Sequence, residues 1–135
     1  MVTGACNCGA VQFEIDAALS GVYVCHCSIC RRSTGSNGIA VVVVQNEQFR
    51  WVQGRQRIAT WKKPNASWQT WFCSVCGSPV PGENDAARMF VPAGAITQGG
   101  DELRRLGLGH GCPRLIAATD WIAAVGVERG QIRRS

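Results

Sequence analysis

The stretch Cys6-Asn7-Cys8-Gly9-Ala10-Val11-Gln12-Phe13-Glu14-Ile15 joins two cysteines one residue apart to a run of alternating apolar and polar residues. A period of two puts Val11, Phe13 and Ile15 on one face of a strand and Gln12 and Glu14 on the other. The cysteine pair sits at the strand entrance, where the following glycine permits a tight turn. Cys73-Ser74-Val75-Cys76-Gly77, much further along, is a second pair of this kind. Short spacing lets both sulfurs of a pair reach one ion. Two pairs brought together supply the four thiolates of a closed tetrahedral zinc site. Such a site is structural, and it would tie the first strand to the middle of the chain.

Strand signals dominate the sequence outward from there. Gly21-Val22-Tyr23-Val24 reads as a strand leading into Cys25, and the β-branched run Ile39 to Val44 as a strand buried on both faces. Gln45-Asn46-Glu47-Gln48 has the composition of a hairpin loop that returns through Phe49-Arg50-Trp51-Val52. Arg57 to Trp61 and Trp68 to Phe72 read as an antiparallel pair around Pro64-Asn65, and Arg88-Met89-Phe90-Val91 as a further strand ending at Pro92. Helical candidates are short: one after Cys27, one around Asp101 to Leu106. Trp51, Trp61, Trp68, Trp71 and Phe72 are taken as core, with one or two at the edge of a ligand pocket. The expected fold is mainly β, antiparallel sheets stapled by zinc with few short helices.

A chain of 135 residues corresponds to one domain, 1–135. Its apolar share of 46% and charged share of 17% exclude a disordered tail protein. No apolar run is long enough to span a bilayer, and Met1-Val2-Thr3-Gly4 lacks the start of a signal peptide. A cytoplasmic location is expected, and thiols stay reduced there. Eight cysteines in that setting point to metal, since seven of them are clustered. The formal charge of +5 counts thiols as neutral. Seven thiolates and two zinc ions would bring it to about +2. The basic residues are scattered in short pairs, which argues against nucleic acid as a partner, and no membrane partner is expected.

Cys73 to Cys76 could also be a redox dithiol, but Gly77-Ser78-Pro79-Val80-Pro81 cannot continue the helix that such a motif needs. An iron–sulfur cluster would use the same thiolates. Cys25-His26-Cys27-Ser28-Ile29-Cys30 offers three sulfurs within six residues. Three protein ligands leave one position of tetrahedral zinc open to chemistry. A helical turn from near Cys27 to Gly35 would set Arg31 and Arg32 beside the metal, where they could bind an anionic ligand or form a solvated basic turn. His110 or Cys112 could instead close the site; His26, between two ligands, is expected to point its ring away.

Gly4 to Phe13, Cys25 to Gly35 and Phe72 to Ser78, in that order, resemble the glutathione-dependent formaldehyde-activating enzyme family, which includes the centromere protein V relatives. Val91-Pro92-Ala93-Gly94-Ala95-Ile96 resembles the family's next landmark, so the likeness covers about residues 3–97. It implies a β-tent fold, a structural zinc on Cys6, Cys8, Cys73 and Cys76, and a second zinc on Cys25, Cys27 and Cys30. It also implies a carbon–sulfur lyase reaction joining glutathione to formaldehyde as S-hydroxymethylglutathione. The segment from Cys112 to Trp121 departs from the family pattern.

Two functions follow as expectations. In the first, a small thiol such as glutathione binds the open three-cysteine zinc, with Cys25, Cys27 and Cys30 catalytic and Arg31 and Arg32 contacting substrate. In the second, two structural zincs present a surface to a protein or nucleic acid. A homo-oligomer is compatible with either.

Overall fold

The computed structural model describes residues 1–19, 21–100 and Leu103. Its elements run β1 (Val2–Ala5), β2 (Gln12–Ile15), β3 (Tyr23–Cys25), α1 (Ser28–Thr34), β4 (Ile39–Gln45), β5 (Phe49–Gln53), β6 (Ile58–Lys62), β7 (Gln69–Cys73), β8 (Gly82–Glu83), β9 (Arg88–Pro92) and β10 (Ile96–Gln98). Two four-stranded sheets, ordered β10-β1-β2-β5 and β3-β4-β9-β8, are joined by a two-stranded hairpin, β6-β7. Every paired neighbour is antiparallel. The fold is mainly antiparallel β, as expected. No helix among the described residues is long and apolar enough to cross a membrane.

The alternation read in residues 11–15 sets the core. Val11, Phe13 and Ile15 are essentially inaccessible, while Gln12 and Glu14 are half-buried. Phe13 stacks on Phe49 at 5.6 Å between centroids, and Trp51 meets Phe49 edge-on at 4.9 Å. Such aromatic pairs add about 0.5–1.5 kcal/mol each beyond area burial. Val24, Val42, Val44, Met89 and Val91 reach the same cluster from the other sheet, with Val22 just before β3. A second, smaller cluster of Cys6, Val11, Cys73 and Val80, with Ile58 and Trp71 packed on it, lies under the hairpin.

Three expectations are corrected. Gln45 to Gln48 is not a hairpin loop, because β4 pairs with β3 and β9 whereas β5 pairs with β2. The Asn46–Gln48 turn is a corner that carries the chain from one sheet to the other. β4 is not buried on both faces: Val42 and Val44 enter the core, while Val41 and Val43 stay half-exposed because their face is only partly covered. Trp61 is not a core residue; it is 53% exposed on β6. The helix expected near Asp101 to Leu106 lies, apart from Leu103, outside the described residues.

A surface turn joins β8 to β9. The Asp85 carboxylate accepts from Arg88 Nε at 2.8 Å, from the Ala87 amide at 3.0 Å and from Asn84 Nδ2 at 2.9 Å. Arg88 first, then the Ala87 amide, holds the carboxyl down to about 2. The Asp85–Arg88 pairing is therefore complete above the ordinary aspartate range and lost only as pH falls through about 2. Carboxyl NMR titration should place Asp85 well below an ordinary aspartate, and an Arg88→Ala variant should move it up toward about 3.9.

Candidate metal centres

Cys6 follows β1, Cys8 sits in the turn before β2, Cys73 ends β7 and Cys76 lies in the next turn. Gly9 and Gly77 close the two turns with φ of 75° and 77°, as the cysteine–glycine pairs required. The four sulfurs lie within 4.8 Å of one another. Cys6 and Cys8 approach to 3.5 Å, and Cys8 and Cys73 to 3.8 Å. For metal–sulfur bonds of about 2.3 Å, tetrahedral geometry sets neighbouring sulfurs about 3.8 Å apart. The spacing and the donor set both fit one metal ion.

Backbone and side-chain donors support thiolates at this centre. The Val11 amide donates to Cys6 Sγ at 3.3 Å, and Ser78 Oγ lies 3.2 Å from Cys76 Sγ. Ser78 Oγ also accepts the Asn7 amide at 3.0 Å, so one hydroxyl bridges the two cysteine pairs. Sequence reading missed Ser78, since a serine after a cysteine–glycine turn carries no signal of a contact this distant. Without a cation the four thiols cannot all ionise, and their affinities for protons split apart. The Ser78 hydroxyl and amide bring Cys76 down to about 5. The Ala10 amide favours ionisation of Cys8, but desolvation and the crowding of Cys6, Cys76 and Cys73 push it up to about 11. Burial opposes ionisation of Cys6, yet the Val11 amide and the Cys8 and Cys73 thiols bring it below the usual thiol range.

The second centre is local. Cys25 ends β3, Cys27 is the N-cap of α1, and Cys30 lies in the first turn of α1. Their sulfurs also lie within 4.8 Å of one another, with Cys30 buried and Cys25 and Cys27 half-exposed. The helix runs as read from the sequence, from a cap at Cys27 to Gly35. The Cys30 amide donates to Cys27 Sγ at 3.4 Å, and that bond comes first among the causes lowering Cys27 below the usual thiol range. Burial pushes Cys25 and Cys30 up, and the neighbouring thiols add to the rise at Cys30. Among the described residues, no fourth His, Cys, Asp or Glu joins this set. His26 is not part of the cluster: its Nδ1 is 2.6 Å from the Asn37 carbonyl oxygen. His110 and Cys112 lie outside the described residues. Arg31 and Arg32 are exposed on the last turn of α1 and make no ion pair among the described residues.

The two cysteine sets that spacing picked out are thus the two sets that the fold brings together, and each could hold a metal ion. A Halomonas elongata protein, provisionally named a glutathione-dependent formaldehyde-activating enzyme, is 28% identical over 85 residues, covering 59% of this chain. The chain spans about half of that relative's length, 54%. A crystal structure of a Rhodobacter sphaeroides protein superposes with a TM-score of 0.57 at 25% identity, over 71% of this chain and 88% of that one. The family model for the glutathione-dependent formaldehyde-activating enzyme matches residues 1–105, which include both cysteine sets, and the chain belongs to that family.

Proposed function

We propose that this chain is a zinc-dependent carbon–sulfur lyase acting on the adduct of a small thiol, glutathione, with formaldehyde or a related aldehyde. The observation that supports this most directly is the contrast between the two centres. One gathers four cysteines, enough to close a tetrahedral site, and the other gathers three, two of them half-exposed. Cys6, Cys8, Cys73 and Cys76 would hold a structural zinc, and Cys25, Cys27 and Cys30 a second one with a position left for substrate. A zinc ion there would supply a site at which an arriving thiol gives up its proton near neutral pH.

The chain's own residues set the geometry. The Cys30 amide fixes the Cys27 sulfur, and the first turn of α1 holds Cys27, its N-cap, and Cys30 together. Arg31 and Arg32, uncommitted to any acid among the described residues, would pair with the carboxylates of glutathione. Holding thiol and aldehyde together supplies proximity to an addition that is already easy in water. The net reaction joins the glutathione sulfur to the aldehyde carbon and gives S-hydroxymethylglutathione.

Calorimetry of glutathione binding to the zinc-loaded chain and to Cys27→Ser tests this reading. Heat is expected with the parent and none with the variant, while the variant keeps a cooperative melting transition. A parent protein that binds no glutathione, or a Cys27→Ser protein that binds it equally, would sink the proposal. A Cys27→Ser protein that unfolds would place the second centre with the first, as structure.

A further inference from the structure

Five of the chain's fourteen Lys and Arg residues fall between Gln48 and Gly82, a stretch with no Asp or Glu and with four of the five tryptophans. Arg50 is taken by Glu14. The other four, Arg55, Arg57, Lys62 and Lys63, have no ion pair among the described residues. These four lie within nine residues, on β6 and its two flanks.

The register of that hairpin sorts its side chains. Trp61 lies opposite Thr70 and Ala59 opposite Phe72, and the Lys63 amide extends the ladder to the Trp68 carbonyl at 3.0 Å. These six residues therefore share one face. The other face carries Ile58 and Trp71, which pack on the inner cluster. Among the described residues, neither core cluster includes Trp61, Trp68 or Phe72. The Trp68 indole N–H donates to Thr70 Oγ1, two residues on in β7, at 3.2 Å, which restrains that ring along the face. Lysine on an edge strand is an ordinary guard against edge pairing. That guard does not account for an indole left half in water beside it.

We propose that this outward hairpin face binds single-stranded nucleic acid. Bases stack on Trp61 and Trp68, and phosphates pair with Arg55, Arg57 and Lys63; Lys62, opposite Gln69, falls on the other face. Both ingredients of a strand-binding platform are present, sequence-tolerant aromatic stacking and a cation track. The contacts involve bases and phosphates and leave the sugar unread, so DNA and RNA strands bind alike.

Titration of the zinc-loaded full chain with dT10 and rU10, followed by tryptophan fluorescence, tests the proposal. Three phosphate contacts give a slope of about −2 for log K against log salt. Arg57→Ala with Lys63→Ala should shallow that slope by about 1.4. Trp61→Ala should weaken binding about tenfold and Trp61→Phe far less. No binding at about 50 mM salt, or unchanged affinity in Trp61→Ala, would overturn it. So would heparin binding as tightly as dT10, which makes the patch a bare charge surface. A dimer that Trp61→Ala dissociates, with no oligonucleotide bound, would instead make the occupant a second copy.

Discussion

Cys73→Ser should leave a chain that no longer folds cooperatively. Cys73 is fully buried, ends β7, and packs with Cys6, Val11 and Val80 in the inner cluster. A structural zinc contributes about 10–16 kcal/mol in small domains. Whole-protein stability is only about 5–15 kcal/mol. On the proposed zinc site, losing one of four ligands removes binding energy on a scale that matters against the stability of the whole domain. The substitution also leaves a buried hydroxyl beside apolar Val11 and Val80. Circular dichroism melting and metal content per chain are the measurements: loss of the transition, aggregation and one ion fewer are expected. A variant that retains its metal and its melting curve would show that the four cysteines form no structural centre.

Gly54→Ala is expected to cost about 2–5 kcal/mol, with no cysteine touched. Gly54 holds φ of 76°, and a Cβ there would stand 1.8 Å from the Ala10 carbonyl oxygen and 2.9 Å from Val11 Cα. The left-handed conformation costs a side chain about 1–2 kcal/mol, and overpacking about 1–3 more. The obstacle is backbone rather than a movable side-chain end. That backbone is the segment leading from Cys8 into β2, and Val11 is fully buried on it. Relief requires Ala10 and Val11 to move, carrying the Val11 amide away from Cys6 Sγ. Urea unfolding with a lowered midpoint and weaker metal retention should result. An unchanged midpoint would mean that the turn between β5 and β6 shifts freely.

The parts of this fold that sequence revealed are those in which one residue type at short range carries the meaning. Cys25, Cys27 and Cys30 needed no knowledge of the fold, because six residues contain the whole set. Cys6, Cys8, Cys73 and Cys76 were legible because each half is a complete pair. Strand positions were legible wherever alternation was strict, as from Val11 to Ile15. Pairing was not. Gln45 to Gln48 has turn composition, but composition does not say that Phe49 lies against Ile15 rather than against the preceding strand. The β-branched run from Val41 to Val44 likewise records strand propensity without recording which face meets a second layer. Trp61 was misplaced for a similar reason: a tryptophan on a strand fits either face, and register alone puts this one outward. Ser78 was invisible because its contact with Asn7 spans 71 positions.

The two centres also differ in when they can be completed as the protein is made. Cys25, Cys27 and Cys30 leave the ribosome almost together, so their set is ready at once. Cys6 and Cys8 leave first, yet their partners lie 65 positions downstream of Cys8 and beyond. At about 5–20 residues per second, that interval lasts roughly 3–13 s. For those seconds the newborn chain displays a bare pair of thiols and an unanchored first strand. On the proposed zinc loading, metal captured during synthesis would reach the local set first, while the long-range set stays incomplete until Cys76 has emerged.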